Sequence, residues 1–134
     1  MKTLNIIVFD DNKKRRNEMI AVIQRSRPGG GVTAFEKAEE MLKYVEQNLP
    51  EVAFISMENT DGRGYFLTKQ VRKLSPRTNV VAVASEYRYA QQLMKLRISG
   101  YVTGELTEER VSEEIANLRY PYEICDTEPA YRFC

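Results

Sequence analysis

The sequence predicts a doubly wound α/β domain: five parallel strands in the order 2-1-3-4-5, with five helices. Short apolar runs alternate with amphipathic segments five times within roughly 120 residues, the pattern of strand–helix units that build a parallel sheet. The runs are short and rich in Ile and Val, as strands covered on both faces are. Right-handed crossovers then restrict the topology, and 2-1-3-4-5 is the solution expected at this size.

The first strand is read from Leu4 to Phe9. Asn12 can cap the helix that follows, Lys13–Arg25, where Met19, Ile20 and Ile23 recur at helical spacing. Pro28-Gly29-Gly30-Gly31 breaks it. Val32–Phe35 is the second strand. Lys37–Gln47 is the second helix, with Ala38, Met41, Leu42 and Val45 on one face, and Leu49-Pro50 stops it. Val52–Ile55 is the third strand, and Met57–Gly64 a loop. A third helix, Tyr65–Leu74, turns Leu67, Val71 and Leu74 inward. Val80–Ala84 is the fourth strand. The fourth helix is expected over Glu86–Ile98, with Ala90, Leu93, Met94 and Ile98 at core spacing, although its start has no strong cap. Tyr101–Thr103 is the fifth strand. Thr107 caps a last helix to about Leu118; Arg110 stands where a capping box would place Glu or Gln, so the cap is a simple one.

Bulk properties narrow the chemistry. The chain has 134 residues, enough for one domain, with an ordinary globular composition of 43% hydrophobic and 29% charged residues. A net charge of +1 points to neither nucleic acid nor an anionic membrane. No apolar stretch approaches the ~20 residues that span a bilayer. Met1-Lys2-Thr3 leads straight into a strand-like run with no small-residue cleavage site, so no signal peptide is expected and the cytoplasm is the expected compartment. Histidine is absent, which excludes Ser-His-Asp and Cys-His catalysis within the chain. Cys125 and Cys134 form no metal-ligand spacing.

In such folds ligands gather beyond the carboxyl ends of the strands. Asp10, Asp11, Ser56, Ala84, Ser85 and Gly104 all fall there. Carboxylates on two strand ends are a recurring way to hold a divalent cation and to phosphorylate an aspartate. Here the acidic pair is present, but Ser56 ends the third strand where the acceptor carboxylate is wanted, and serine is a poor ligand for a hard cation.

Over residues 3–118 the chain resembles the receiver domain of bacterial response regulators, in the flavour found in LytTR regulators. The resemblance rests on Asp10-Asp11, on Ser56-Met57-Glu58-Asn59-Thr60 running on to Gly64-Tyr65-Phe66-Leu67, on Val80-Val81-Ala82-Val83-Ala84-Ser85 with Tyr89-Ala90, and on Gly100-Tyr101-Val102-Thr103 followed by Glu108-Glu109-Arg110. It implies a flavodoxin-like fold and a site of five side chains. Asp10 and Asp11 match the two acids that bind Mg²⁺. Ser56 takes the place of the phosphorylated aspartate. Ala84 stands for the Thr or Ser that bonds the phosphoryl group, with Ser85 one residue later. Gly104 replaces the lysine, and Glu105 the proline after it. The resemblance therefore implies a degenerate, pseudo-receiver domain that signals through protein contacts without phosphorylation and without enzymatic activity. It requires no cofactor and binds Mg²⁺ at most weakly at Asp10 and Asp11. Ser56 phosphorylation by a kinase stays open.

Blander readings stand beside these. Asp10-Asp11 can be an inherited pair satisfied by Lys13 or Lys14, and Lys13-Lys14-Arg15-Arg16 a solvated first helical turn rather than a phosphate or nucleic-acid contact. No recognition helix or arm accompanies that run, so no direct nucleic-acid binding and no membrane contact are expected. Tyr101 matches the family's switch aromatic, and with Ala84 beside it a fixed inward ring is favoured over a mobile one. Tyr87, Arg88 and Tyr89 are either interface residues or an exposed helix start. The resemblance implies a homodimer or partner complex through the fourth helix, fifth strand and fifth helix. Residues 1–119 are expected to form the receiver-like domain. Residues 120–134 form a C-terminal tail carrying Tyr120, Tyr122, Tyr131 and Phe133, too aromatic for a fully solvated segment and too short for the output domain that usually follows a receiver. Two alternatives remain: a phosphoryl-transfer enzyme, for which Phe9-Asp10-Asp11-Asn12 is a faint motif, and a receiver with residual Mg²⁺-dependent phosphorylation at Asp61 or Glu58.

Overall fold

A computed structural model describes residues 4–58 and 61–121. In chain order the elements are β1 (Ile6–Phe9), α1 (Lys13–Ser26), β2 (Val32–Phe35), α2 (Ala38–Asn48), β3 (Val52–Ser56), α3 (Arg63–Leu74), β4 (Asn79–Ala84), α4 (Ala90–Lys95), β5 (Gly100–Thr103) and α5 (Glu108–Ala116). The sheet is parallel throughout, in the order β2-β1-β3-β4-β5. Every residue of β1, β3 and β4 is buried, because these central strands are covered on both faces. Successive side chains go to opposite faces and feed two cores. Ile7, Phe9, Ala53 and Ile55 pack with Met41, Val45 and Leu67 under α2 and α3. Ile6, Val8, Val52 and Phe54 pack with Met19, Ile23 and Val111 under α1 and α5.

Two helix starts follow from capping. The Asn12 side chain accepts the Arg15 N–H at 2.9 Å, and the Thr107 side chain accepts the Arg110 N–H at 3.2 Å. The start of α3 is set by close approach instead. A Cβ on Gly64 would stand 2.1 Å from the Ser56 carbonyl oxygen, so only glycine lets this helix sit so near the end of β3.

The fourth helix departs from the expected Glu86–Ile98: it has six residues, Ala90–Lys95. Tyr89 at φ 56° and Arg97 at φ 59° lie in the left-handed region, which no helix continues through. The carbonyls of Glu86 and Arg88 share the one Tyr101 hydroxyl proton, at 2.9 and 2.7 Å, and Glu86 also accepts the Arg88 N–H at 2.8 Å, in place of a helical ladder. Leu93 and Ile98 are buried as expected, but Met94 is 74% exposed. Leu74 is also exposed, contrary to expectation, and Thr68 is a buried polar residue of α3 that an apolar pattern misses; its hydroxyl donates to the Gly64 carbonyl at 2.8 Å.

At the opposite end of the sheet the chain leaving α5 is tied down. The fully buried Asn79 side chain donates to the Tyr120 carbonyl and accepts the Tyr120 N–H, both at 2.7 Å. The Arg72 guanidinium lies 4.6 Å from the Tyr120 ring centroid, and the Tyr120 hydroxyl donates to the Arg97 carbonyl. Tyr122, Cys125, Tyr131, Phe133 and Cys134 lie outside the described residues.

Candidate functional site

The carboxyl ends of β1, β3, β4 and β5 surround a cavity of about 390 Å³. Asp10, Ser56, Ala84, Ser85 and Gly104 line it together, with Arg15, Glu58 and Glu105. Met19, Val22 and Leu106 supply its apolar wall. Asp11 and Tyr101 are not in that lining.

Asp10 follows β1 directly and is fully buried, so its charge needs a partner. Arg15 supplies it as a fork: Nε to Oδ2 at 3.0 Å and Nη2 to Oδ1 at 3.1 Å. The Asn12 N–H also donates to Oδ1, at 2.9 Å, and Arg16 donates to the Asp10 carbonyl at 2.8 Å. The cap at Asn12 places Arg15 one turn into α1, on the side that faces back over the strand end. Its hydrogen bond to Asp10 raises the Arg15 pKa above the ordinary value, against the opposing effect of burial. Asp11 is half-buried. Arg63 reaches its Oδ2 at 3.3 Å and holds Asp61 at 2.8 Å with its other nitrogen, and Arg15 adds a longer approach to Asp11 at 3.8 Å. The expectation that Lys13 or Lys14 satisfies the acid pair is thus corrected. Both lysines are exposed, and Arg15 and Arg63 make the pairs. Arg15 and Arg16 likewise turn inward and are no longer part of a solvated basic turn.

Ser56 is the last residue of β3 and is 1% exposed. Its hydroxyl accepts the Glu58 N–H at 3.2 Å. The Glu58 carboxylate crosses the cleft and accepts the backbone N–H and the hydroxyl of Ser85, at 3.0 and 3.2 Å. Glu58 and Asp61 are therefore engaged by Ser85 and Arg63, and neither stands at the strand end where Ser56 does. Gly104 has φ 80°, and nothing lies within 4 Å of where its Cβ would be, so the position presents only backbone to the cavity.

Tyr101 is half-buried and pinned to the loop after β4 by its bonds to Glu86 and Arg88; burial pushes its phenol up. Tyr87 leans on it at a tilt of 34°, centroids 5.5 Å apart, and remains 72% exposed. Tyr89 folds the other way. Its ring lies parallel to Tyr65, 5.1 Å away with 8° between planes, which offsets the strain of its left-handed backbone. Tyr89, half-buried, thus makes an internal contact between the β4–α4 loop and α3. Tyr87 and the Arg88 side chain stay exposed.

A receiver-type acid pair implies a divalent cation, and the residues present do not fit one. Both Asp10 oxygens are occupied by donors, Ser56 offers a neutral hydroxyl, and among the described residues no group of three or more His, Cys, Asp or Glu is arranged to hold a metal. Sequence reasoning placed Arg15 only within a basic run and did not single out Arg63; for Arg15 the signal available was a basic residue three positions after the Asn12 cap.

Fold and site together define a class: a parallel doubly wound domain with an acidic strand end and one cleft shared by its central strands. The chain belongs to the response regulator receiver domain family, whose model matches residues 6–116, and is a receiver domain of two-component signalling. The sensory transduction protein LytT of Bacillus anthracis is 20% identical over 112 residues, 84% of this chain and 46% of the relative. LytT of Bacillus cereus gives the same figures. The chain spans about half the length of these curated relatives. Among solved structures, a receiver domain protein from Clostridium thermocellum superposes with a TM-score of 0.74 at 19% identity, covering 85% of this chain and 92% of the other. A CheY-like receiver from Methanospirillum hungatei gives 0.73 at 17%, covering 86% and 92%. These likenesses establish the fold. No helix among the described residues is long and apolar enough to cross a membrane.

Proposed function

We propose that this domain is a pseudo-receiver: a cytoplasmic, non-enzymatic signalling module that acts by protein contact and not by phosphorylation. The observation that carries the reading is Ser56 at the end of β3, buried beside the acid pair. Acyl phosphate formation needs a carboxylate nucleophile there, together with positive charge to stabilise the transferring phosphoryl group. Serine supplies no carboxylate, Gly104 supplies no ammonium, Ala84 supplies no hydroxyl, and Glu105 adds negative charge to the cavity. Losing cooperating groups together leaves little residual chemistry.

The surface that carries the signal on this reading is α4, β5 and α5, with the adjoining β4–α4 loop, where Tyr87 and Arg88 are exposed. The contact needs no phosphate, so a homodimer or partner complex forms constitutively. Treatment with acetyl phosphate or phosphoramidate and Mg²⁺, followed by intact mass, is expected to show no added phosphate. A stoichiometric, hydroxylamine-labile adduct sinks the reading. Ser56→Asp alone is expected to stay unphosphorylated, because Ala84 and Gly104 remain.

A further inference from the structure

We propose that Arg15 is the resident cation of this site: its guanidinium takes the electrostatic place of a divalent ion at Asp10, and the acid pair refuses Mg²⁺ for that reason. A carboxylate with no exposed surface requires a positive partner. Arg15 meets that need with two hydrogen bonds whose planar fork matches both oxygens, at 3.0 and 3.1 Å. The guanidinium is tethered five residues away on the same chain, so its local concentration exceeds that of a free ion. It stays protonated at every pH the protein meets. An entering Mg²⁺ has to give up part of a tightly held water shell, expel the fork, displace the Asn12 N–H from Oδ1, and then draw on neighbouring carboxylates that already have partners, such as Glu58, which is engaged by Ser85. Asp11 in turn is held by Arg63, which also grips Asp61 at the start of α3.

The consequence is conformational. The ends of β1, α1 and α3 are fastened to one another by side chains of this chain, so their arrangement does not follow the cation concentration. The inference is separable from the reading above: a domain can lack the phosphate acceptor and still bind Mg²⁺.

The test uses Mn²⁺ as the probe, with paramagnetic broadening of backbone amides in the ¹⁵N-labelled chain. The wild type is expected to show no saturable broadening centred on Asp10 and Asp11 at millimolar Mn²⁺. Ser56→Asp, which adds a third carboxylate but leaves the fork, is expected to stay silent. Ser56→Asp with Arg15→Gln is expected to bind Mn²⁺ at least about tenfold more tightly than Ser56→Asp alone. Saturable broadening in the wild type, or equal binding in the single and double variants, overturns the proposal. If the double variant does not fold, the Arg15 Nε–H of the wild type decides. Slow exchange and an unmoved resonance with and without Mn²⁺ support the internal cation, and rapid exchange or a Mn²⁺-dependent shift overturns it. Phosphate uptake plays no part in these outcomes.

Discussion

Replacing Arg15 by methionine keeps an apolar stem of similar shape as far as Nε and removes the guanidinium fork. Asp10 then loses two charge-assisted bonds and keeps the Asn12 N–H. Each lost bond is worth ~1.5–3 kcal/mol, and leaving a buried charge unpaired typically costs ~3–5 kcal/mol. Arg15 is itself 38% exposed, so water enters beside Asp10 and recovers part of this. The net expected loss is ~2–4 kcal/mol, a large part of the ~5–15 kcal/mol that holds a domain folded. The assay is equilibrium urea unfolding followed by far-UV circular dichroism, with an unchanged slope required for the comparison. Arg63→Met is the internal control. Its partners Asp11 and Asp61 are 30% and 55% exposed, so its loss is expected to stay below ~1 kcal/mol and to shrink further in high salt. A loss below ~1 kcal/mol for Arg15→Met, or one no larger than that of Arg63→Met, refutes the claim that this pair is the buried charge contact of the site.

Gly64→Ala drives a Cβ onto the Ser56 carbonyl and is expected to cost ~1–3 kcal/mol by the same urea assay, with α3 displaced from β3. Asn79→Ala removes both amide bonds to Tyr120, and proteolysis after Tyr120 is expected to speed up while the sheet stays folded. Burial raises the Tyr101 phenol above its ordinary value of 10.0, so the folded state keeps that proton longer than the unfolded state does. Stability is therefore full below pH 10 and is lost as pH rises from 10.0 through the folded value, a loss expected to be absent in Tyr101→Phe and read from Tm against pH. Burial likewise raises Glu114, so Glu114→Gln is expected to be neutral or mildly stabilising at pH 7, an advantage that disappears below pH 4.5, where both states hold the proton.

Much of the fold was legible because buried parallel strands carry their signal in composition alone. Val52 to Ile55 and Val80 to Ala84 have no polar residue to misplace, and their observed ends differ from the expected ones by a single residue. Helix boundaries need information that local periodicity lacks. Ala90, Leu93, Met94 and Ile98 keep helical spacing, yet the segment is helical only from Ala90 to Lys95. What shortens it is a distant hydroxyl, Tyr101, taking two carbonyls, and a left-handed Tyr89 held by its stack on Tyr65. The same stack leaves Tyr89 half-buried, a contact that its residue type alone does not reveal.

The positions around the cleft were legible as strand ends, whereas their partners were not. A sequence shows that Asp10 and Asp11 are adjacent acids; it does not show which cation they meet. Lysine side chains at positions 13 and 14 are as close along the chain as the guanidinium that makes the contact, and Arg63 comes from another helix. Once those contacts are known, the departures at the site form one pattern. Asp10 pairs with Arg15, and Asp11 shares Arg63 with Asp61, while Glu58 and Glu105 line the same cavity. A further carboxylate at position 56 would add to that negative charge unless an ion or an ammonium group came with it. Serine at 56 brings no carboxylate and glycine at 104 no ammonium, so Asp10 and Asp11 keep their guanidinium partners with no further acid at the strand end to accommodate. On the pseudo-receiver reading proposed above, an Asp10 already paired by Arg15 depends on neither a phosphoryl group nor a metal for its charge, and a constitutive contact is the signal expected.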